Sequence, residues 1–370
     1  MPVPHYAQIV GWGKALPVRS MHNREFERLV DTTDDWIRSR TGIVERRIAG
    51  PGETTATLAI EAARQALAVA NLDPRRVDFV LVCTCTPDKL MPAAAPIVQQ
   101  AIGATRAAAV DVNAACAGFM YGLVMASGLI AAGMHRNVLV IGADTLSRWL
   151  DWKDRRVSIL FGDGAGAVLL QATDQPTGLF ASQLRADGAG ADLLHIPAGG
   201  SLAPSTVETL QLGDHFIKMD GQAVFKFAVR IVVDSTREVL EHAHLTVDDV
   251  DLFIPHQANV RIIDAAAKTL RLPAEKVYTN LDRYGNTSAA SIPIALCEAI
   301  EEGRMRPGDN LVMCGFGAGL TWGTAVFQWG VPPSIPATDP WQSAASAADL
   351  ARRRHRAQRI AQRAVAETTP

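Results

Sequence analysis

The sequence predicts an α/β fold made of two related halves, and an internal repeat is the main evidence for it. The segment NLDPRRVDFVLV at 71–82 is similar to HLTVDDVDLFIP at 244–255, and NVLVIG at 137–142 is similar to NLVMCG at 310–315. Both pairs are 173 residues apart. In each copy an amphipathic helix pattern precedes the first apolar strand. Apolar strands that alternate with helices are typical of parallel strands covered on both faces.

The repeat divides the chain into three segments. We predict a first α/β half at 1–171, a second half at 172–331 and a tail at 332–370. The tail opens with a linker rich in Pro, Ala and Ser, and it then carries six arginines. Its net charge is +3, against −5 for the rest of the chain. It is either a solvated appendage or a basic helix that attracts an acidic partner.

Composition and charge exclude several classes of protein. With 48% hydrophobic and 20% charged residues, the chain has the composition of a globular protein. The acidic body argues against nucleic acid as a partner, and the longest uncharged apolar stretch, 122–134, is too short to cross a membrane. No secretory signal is visible, and five irregularly spaced cysteines do not form a disulfide framework. We therefore expect a cytoplasmic protein.

Cys116, in DVNAACAGFMYGL, is the first candidate for chemistry. An apolar strand at 107–112 ends just before it and a helix begins near it. The thiol is therefore expected at the positive end of a helix dipole, which favours the thiolate. The small residues around it allow a substrate carbonyl to approach backbone N–H groups. The alternative is a buried structural cysteine.

Three further segments follow predicted strands. His256 comes directly after VDLFI, Asn286 lies in YGNTSAAS, and a glycine-rich turn occupies 315–319. Strand ends of open α/β sheets form ligand sites. A cysteine, a histidine, a carboxamide and a loop of backbone donors are together the parts of thiol-based acyl transfer. The alternatives are a structural histidine and an N-cap role for Thr287 or Ser288.

Together these motifs resemble the β-ketoacyl-acyl-carrier-protein synthase III family of the thiolase superfamily. The resemblance implies a thiolase-like fold, with the duplicated α/β halves in a five-layered αβαβα arrangement. It also implies an enzyme that starts fatty-acid synthesis. The matching stretches span about residues 5–329 and are, in chain order, DTTDDWIRSRTGIVERRI, DVNAACAGFMYGL, FGDGAGAVLL, PHQANVRII, NLDRYGNTSAASIPIAL and GFGAGLTWGTA.

The resemblance also implies roles for individual residues. Cys116 matches the nucleophile that becomes acylated, and His256 and Asn286 match the pair that assists decarboxylation. The backbone N–H groups of Cys116 and Ala318 match the oxyanion hole. Met91 falls where relatives carry a residue, often phenylalanine, that reaches across a dimer to close the partner's acyl pocket. The coenzyme A entrance is matched by Trp36, Arg40, Thr41 and Arg155, and the carrier-protein surface by Lys226 and Arg261.

The implied reaction is the decarboxylative condensation of an acyl-CoA starter with malonyl-acyl-carrier protein, carried out by a homodimer. Coenzyme A enters as part of a substrate, and no cofactor is expected. No metal is expected either, because Cys83 and Cys85 lack a second pair of ligands. A related enzyme of secondary metabolism, which loads a polyketide starter or acylates oxygen or nitrogen, is the main alternative.

A degradative thiolase or a binding protein without activity fits the sequence less well. Degradative thiolases use a second catalytic cysteine in a C-terminal glycine-rich loop, and we interpret Cys314, beside that loop, as buried structure. A binding protein without activity does not require the intact set of Cys116, His256 and Asn286.

The chain departs from the family pattern in two places. The tail at 332–370 has no counterpart, and we expect its arginines to help capture the carrier protein. Met91 replaces a rigid ring with a flexible thioether, which favours a different or longer starter.

Overall fold

The computed structural model describes residues 6–330, and the predictions for the tail at 332–370 lie outside the described residues. The strands are β1 (Tyr6–Ala15), β2 (Arg19–His22), β3 (Glu45–Ile48), β4 (Phe79–Cys83), β5 (Ala108–Val112), β6 (Asn137–Thr145), β7 (Asp163–Thr173), β8 (Gly178–Ala186), β9 (Leu194–His195), β10 (Lys218–Met219), β11 (Leu252–Pro255), β12 (Asn310–Gly317) and β13 (Thr321–Gln328). The helices are α1 (Asn23–Phe26), α2 (Asp34–Thr41), α3 (Thr55–Val69), α4 (Ala94–Ile102), α5 (Gly118–Ala131), α6 (Arg155–Ser158), α7 (Val207–Leu212), α8 (Gly221–His242), α9 (Val260–Leu270), α10 (Leu281–Tyr284) and α11 (Ser291–Glu301).

Two large sheets have matching strand orders. The first is β1-β7-β6-β4-β5 and the second is β8-β13-β12-β11. The repeated strands pair in parallel, β4 with β6 and β11 with β12, as the sequence predicts. The flanking pairs are antiparallel, so each sheet is mixed rather than wholly parallel. For β12 and β13 the reason is the three-residue turn at 318–320, since parallel strands need a much longer crossover.

Helices and sheets alternate in five layers. Helices α3 and α4 cover the outer face of the first sheet, and α8 and α9 cover the outer face of the second. Helices α5 and α11 lie between the two sheets and contact both. An apolar cluster of residues from both sheets and from α5 and α11 forms the centre of the molecule. The strand ends of both halves therefore meet beside the same two helices.

The internal repeat extends to the strand register and the backbone. Phe79 pairs with Val138 in the first sheet, and the residues 173 positions later, Leu252 and Leu311, pair in the second. The residues at the equivalent helix-to-strand turns, Asn71 and His244, both adopt the left-handed conformation, with φ of 48° and 56°.

Helix starts follow the capping pattern expected from the sequence. The Thr54 hydroxyl accepts a hydrogen bond from the N–H of Thr57 at the start of α3. The Asp220 carboxylate caps α8 by accepting from the N–H groups of Gln222 and Ala223. Within residues 6–330, no helix has both the length and the apolar character needed to cross a bilayer.

Candidate active site

Cys116 lies between the two halves, at the start of α5. It sits in a single 3₁₀ turn, Ala115–Ala117, that joins β5 to α5. Ala115 has a φ of 45°, a conformation rarely adopted by residues other than glycine. The Cys116 side chain is almost fully buried. The Ser288 hydroxyl, contributed by the other half, donates a hydrogen bond to Cys116 Sγ at 3.3 Å.

Burial is the largest influence on the pKa of this thiol. Burial raises the pKa of Cys116 to about 12, and the nearby Asp144 charge also raises it, whereas the Ser288 hydrogen bond lowers it. The sequence predicts a position that favours the thiolate, and for the free enzyme this expectation is wrong. The sequence shows that a helix begins at Cys116 but not how completely the surrounding chain removes water from the sulfur.

Asn286 is held on both sides by the backbone. Its N–H donates to the Leu160 carbonyl at 2.9 Å, and its own carbonyl accepts from the N–H of Gly162 at 3.0 Å. The side-chain oxygen Oδ1 accepts the N–H of Ser288 at 2.9 Å. This contact assigns the oxygen of the amide, so the two N–H donors on Nδ2 are available to a ligand.

His256 follows β11 and is buried. Its Nδ1 lies 2.6 Å from the hydroxyl oxygen of Ser291, and its ring meets the edge of the Phe316 ring at a centroid distance of 5.1 Å. Burial lowers the pKa of His256 to about 3. The imidazole is therefore neutral at physiological pH and carries one N–H donor.

The glycine-rich segment packs directly against the backbone of Cys116. Strand β12 continues through Gly317, so the turn itself is only 318–320 rather than the predicted 315–319. A Cβ on Gly317 would lie 2.7 Å from the Cys116 nitrogen, and this contact requires glycine. The Thr321 hydroxyl oxygen lies 2.9 Å from the carbonyl oxygens of both Ala114 and Ala318. The segments that carry the two predicted oxyanion donors are thus adjacent.

The structure does not show the alternative in which Thr287 or Ser288 caps the helix that follows Asn286. The N-cap of α11 is Ala290, which has no side-chain oxygen. Ser288 adopts a left-handed φ of 53° and directs its hydroxyl to Cys116. The structure therefore brings together Cys116 and Asn286 through Ser288, with His256 contacting Phe316 beside Gly317.

The predicted entrance residues lie on α2 and α6. The Arg155 guanidinium stacks over the Trp36 ring, with 5.2 Å between Cζ and the ring centroid. Arg40 is exposed, and its carbonyl accepts from Asn259 Nδ2 at 3.1 Å. Thr41 is buried, and its hydroxyl donates to the Ile37 carbonyl at 2.7 Å. The Thr41 hydroxyl is thus used inside the fold.

The predicted partner-binding residues are exposed. Lys226 lies on the surface of α8. Arg261 lies on α9, and its guanidinium is 5.5 Å from the ring centroid of Phe225. Met91 is 86% exposed in the single chain, and the adjacent Leu90 is 92% exposed.

Two of the other cysteines have structural surroundings. Cys314 is fully buried in β12 and accepts a hydrogen bond from the Thr324 hydroxyl at 3.1 Å. Cys83 is also fully buried, and none of the five cysteines forms a disulfide. Across residues 6–330, no group of three or more His, Cys, Asp or Glu side chains is arranged to hold a metal ion.

Comparisons with known proteins agree with this geometry. The family model for 3-oxoacyl-[acyl-carrier-protein (ACP)] synthase III matches residues 110–188, and the model for its C-terminal part matches residues 240–329. The β-ketoacyl-[acyl-carrier-protein] synthase III of Roseiflexus castenholzii is 52% identical over 325 residues, covering 88% of this chain and 98% of that relative. The chain belongs to the β-ketoacyl-[acyl-carrier-protein] synthase III family.

Solved structures of the family share the fold. The 3-oxoacyl-[acyl-carrier-protein] synthase III from Aquifex aeolicus has a TM-score of 0.82 and 44% identity, covering 87% of this chain and 100% of that one. The priming β-ketosynthase from the R1128 polyketide biosynthetic pathway has a TM-score of 0.83 and 36% identity, covering 90% and 99%. The predicted thiolase-like fold is confirmed, and the chain is an acyl-transferring condensing enzyme.

The family motifs do not single out three buried polar residues that hold the site together. Ser291 contacts His256, and Asp144 accepts the N–H of Ala289 at 3.2 Å. Arg46 is fully buried and donates to the Ile159 carbonyl at 2.6 Å, just before the segment that pairs with Asn286. A charged residue within the apolar run NVLVIGADT is the sequence signal for Asp144, because ionised side chains are rarely buried without a purpose. Arg46 stands between Glu45 and Arg47 and has no such signal.

Proposed function

We propose that this condensing enzyme joins an acyl group from acyl-CoA to malonyl-acyl-carrier protein with loss of carbon dioxide. The observation that supports the proposal is a buried thiol linked through Ser288 to a carboxamide with free N–H donors, with a neutral imidazole packed on Phe316, beside the Gly317 that faces the thiol. A thiol supplies the covalent step, and the two donors suit an enolate.

In the first half-reaction the Cys116 sulfur attacks the thioester carbon of acyl-CoA. The carbonyl oxygen becomes an oxyanion, for which the N–H groups of Cys116 and Ala318 are the proposed donors. Coenzyme A leaves with the proton of the thiol, and the acyl group stays on Cys116. Because the pKa of Cys116 is about 12 in the free enzyme, the thiol loses its proton only as the thioester is attacked.

In the second half-reaction the malonyl thioester loses carbon dioxide and becomes an enolate. His256 Nε2–H and Asn286 Nδ2–H are the proposed donors to the enolate oxygen. Its carbon then attacks the Cys116 thioester, which releases the β-ketoacyl product and the Cys116 thiolate, and the thiolate takes up a proton from solvent to restore the thiol. A neutral imidazole suits this role, since one ring nitrogen can donate to the enolate while the other, Nδ1, accepts from the Ser291 hydroxyl. Each donor aimed at developing charge contributes about 3–4 kcal/mol in comparable sites.

Substrate binding is proposed to use the surface residues around the entrance. The exposed pair of Trp36 and Arg155 forms a flat cation–π surface for the adenine of coenzyme A, with Arg40 nearby and Thr41 supporting the end of α2. Lys226 and Arg261 are exposed cations on neighbouring helices, as an acidic carrier protein requires. Coenzyme A is part of a substrate here, and the proposed reaction uses no cofactor.

The proposed assembly is a homodimer in the cytoplasm. Strand β5 is the edge of the first sheet, and its Val110 is 42% exposed. Leu90 and Met91 are large apolar side chains left uncovered in the single chain. A second copy that covers them would place Met91 at its acyl pocket. The five free thiols support a reducing compartment.

The division of the chain into two halves at 171/172 is also a proposal. So is the role of the basic tail in capturing the carrier protein. Removing residues 332–370 is expected to raise the KM for carrier protein at low salt and to have little effect at high salt, where the +3 charge is screened. An unchanged KM at low salt would make the tail a solvated appendage.

A second candidate function is the priming of a polyketide. Its support is the similarity to the R1128 priming β-ketosynthase over 90% of this chain, together with a flexible Met91 where the family resemblance implies a ring that closes the partner's acyl pocket. The same chemistry would operate, and the preferred starter acyl group separates the two functions.

The experiment is intact-protein mass spectrometry after exposure to a panel of acyl-CoAs, followed by a chase with malonyl-acyl-carrier protein. Cys116→Ser is the control for the site of acylation. A mass gain on Cys116 that the chase removes, with formation of β-ketoacyl-carrier protein, is expected and names the starter. A stable adduct that the chase leaves untouched would refute condensation and indicate acyl transfer to another acceptor.

A further inference from the structure

The site contains two copies of one turn, related by the internal repeat. The nucleophile turn (residues 113–118) and the amide turn (residues 286–291) are 173 residues apart, and each ends in the first residue of a central helix, α5 or α11. In both turns an asparagine Oδ1 accepts the N–H two residues later, at 3.2 Å from Asn113 and 2.9 Å from Asn286. Ala115 and Ser288, at equivalent positions, have φ of 45° and 53°.

The two turns differ in what faces them. Gly317 faces Cys116 in the nucleophile turn. Because glycine has no side chain, Gly317 does not cover the Cys116 N–H. The residue 173 positions earlier is Asp144, and its carboxylate Oδ2 accepts the N–H of Ala289, the counterpart of Cys116. The amide turn therefore holds a carboxylate oxygen in the place where the nucleophile turn is proposed to hold the substrate oxyanion.

Asp144 is held by donors on its other oxygen as well. Oδ1 accepts from the hydroxyls of Thr84 and Thr86 at 2.9 and 2.8 Å, and from the N–H groups of Cys85 and Thr86 at 2.9 and 3.2 Å. The side chain is fully buried, and these neighbours donate to it, as an ionised carboxylate requires. Asp144 thus joins the 84–86 segment of the first half to Ala289 of the second.

We propose that Asp144 is a positioning residue, which closes the amide turn and fixes Asn286 and Ser288 for work on Cys116. Ser288 precedes Ala289 directly, and its side chain reaches Cys116 while its N–H holds the Asn286 amide. Fixing the Ala289 N–H fixes both contacts. The consequence for condensation rests on the proposed function.

The charge of Asp144 also affects the acidity of the Cys116 thiol, which can be measured. Burial is the main reason that the pKa of Cys116 is raised, and the Asp144 charge adds to it. Asp144 therefore supports the second half-reaction while making the thiol less acidic. The Ser288 hydrogen bond, which Asp144 is proposed to position, has the larger and opposite effect on the thiol, so a variant that loosens this bond should be alkylated more slowly.

The variant Asp144→Asn tests this role selectively. Its amide oxygen can remain on the donors that Oδ1 accepts, and its amide nitrogen then faces the Ala289 N–H, which it cannot accept. Asp163→Asn is the matched control. Asp163 is also fully buried and accepts from the N–H and hydroxyl of Ser147 at 2.9 and 2.5 Å, but it makes no hydrogen bond to either turn.

Three rates are measured for each variant: Cys116 alkylation by iodoacetamide at pH 8, acylation by acyl-CoA, and condensation of the acyl-enzyme with malonyl-acyl-carrier protein. We expect Asp144→Asn to lower condensation about tenfold relative to acylation and to slow alkylation about threefold, because loosening the Ser288 hydrogen bond to Cys116 outweighs the loss of the Asp144 charge in its effect on the thiol. Asp163→Asn is expected to keep the wild-type ratio of condensation to acylation. Equal losses in both half-reactions, with alkylation at least as fast as in Asp163→Asn, would overturn the proposal.

Failure of the proposed function is separable from failure of this inference. If the wild-type enzyme does not condense, the proposed function is wrong, and the alkylation rates, which need no substrate, still test Asp144. If Asp144→Asn does not fold, Thr84→Val carries the test, since it removes one donor to Oδ1 and keeps the charge. Its condensation-to-acylation ratio is then expected to fall, and an unchanged ratio would overturn the proposal.

Discussion

Ser291 Oγ lies 2.6 Å from His256 Nδ1, within hydrogen-bond distance of that ring nitrogen. The Ser291 oxygen also accepts the N–H of Gln257 at 3.4 Å, which leaves its own hydrogen available for donation to Nδ1. Because burial lowers the pKa of His256 to about 3, the ring is neutral and carries one proton. Donation from Ser291 to Nδ1 corresponds to the tautomer with that proton on Nε2, which is the one the proposed reaction uses.

Replacing Ser291 by alanine is expected to impair condensation about tenfold or more while leaving acylation of Cys116 nearly unchanged, because only the second half-reaction needs an oriented Nε2–H donor. Single-turnover assays of both half-reactions measure this. Ser127→Ala is the matched control, since Ser127 is also a buried helical serine and donates only to the Leu123 carbonyl. Equal rates in the Ser291 and Ser127 variants would contradict the assignment.

Replacing either proposed enolate donor, His256 or Asn286, should also impair condensation more than acylation, and by a larger factor than replacing Ser291. His256→Ala or Asn286→Ala is expected to slow condensation by about two orders of magnitude or more, since each removes a donor to the enolate. Acylation by acyl-CoA should retain much of its rate, as measured by intact mass. Equal loss of both half-reactions in His256→Ala would refute the role given to His256.

The reactivity of Cys116 should follow its raised pKa. Since the pKa is about 12, the rate of alkylation by iodoacetamide should rise about tenfold for each pH unit up to pH 10, without a plateau. Ser288→Ala should slow alkylation about tenfold at fixed pH, because a hydrogen bond to the thiolate is lost. A wild-type plateau near pH 8 would show that the thiol is far more acidic.

Folding stability should fall on acidification because of His256. The pKa of His256 is about 3 in the folded protein and 6.5 for an exposed histidine, so below pH 6.5 the unfolded chain binds a proton that the folded chain rejects. The free energy of unfolding therefore decreases between pH 6.5 and 3, by about 1.4 kcal/mol per pH unit from this group.

Urea unfolding at pH 7, 5.5 and 4.5 measures this loss of stability. His256→Asn should flatten the decrease, whereas replacement of the exposed His244 by asparagine should keep it. The same slope in both variants would show that His256 is not the source.

The sequence predicts the repeat, the family and the set of Cys116, His256 and Asn286, because each lies in a distinctive segment after a strand. It does not predict their partners. Ser288 and Cys116 are 172 residues apart, and a serine in this segment is as consistent with a helix cap as with a bond to a thiol. The left-handed φ of Ser288 decides between them, and it depends on packing between the halves.

Burial is the other property that residue patterns leave open. The helix start at Cys116 is visible in the sequence, but the loss of water around the sulfur results from segments far apart in the chain. Thr41 is a similar case. Its place beside the entrance residues is clear from the motif, whereas its buried hydroxyl is satisfied by the Ile37 carbonyl of its own helix.

Cys83 and His256 occupy the same place in the two copies of the repeated strand, but only His256 is a candidate for chemistry. Cys83 is fully buried, and a Cβ on Gly122 would lie 2.4 Å from its sulfur, so no substrate reaches it. Packing therefore restricts the volume of the side chain at 83, whereas the proposed reaction restricts its counterpart at 256 to a side chain that can donate a proton. The duplicated unit thus offers two equivalent strand ends, and helix α5 fills the space around one of them.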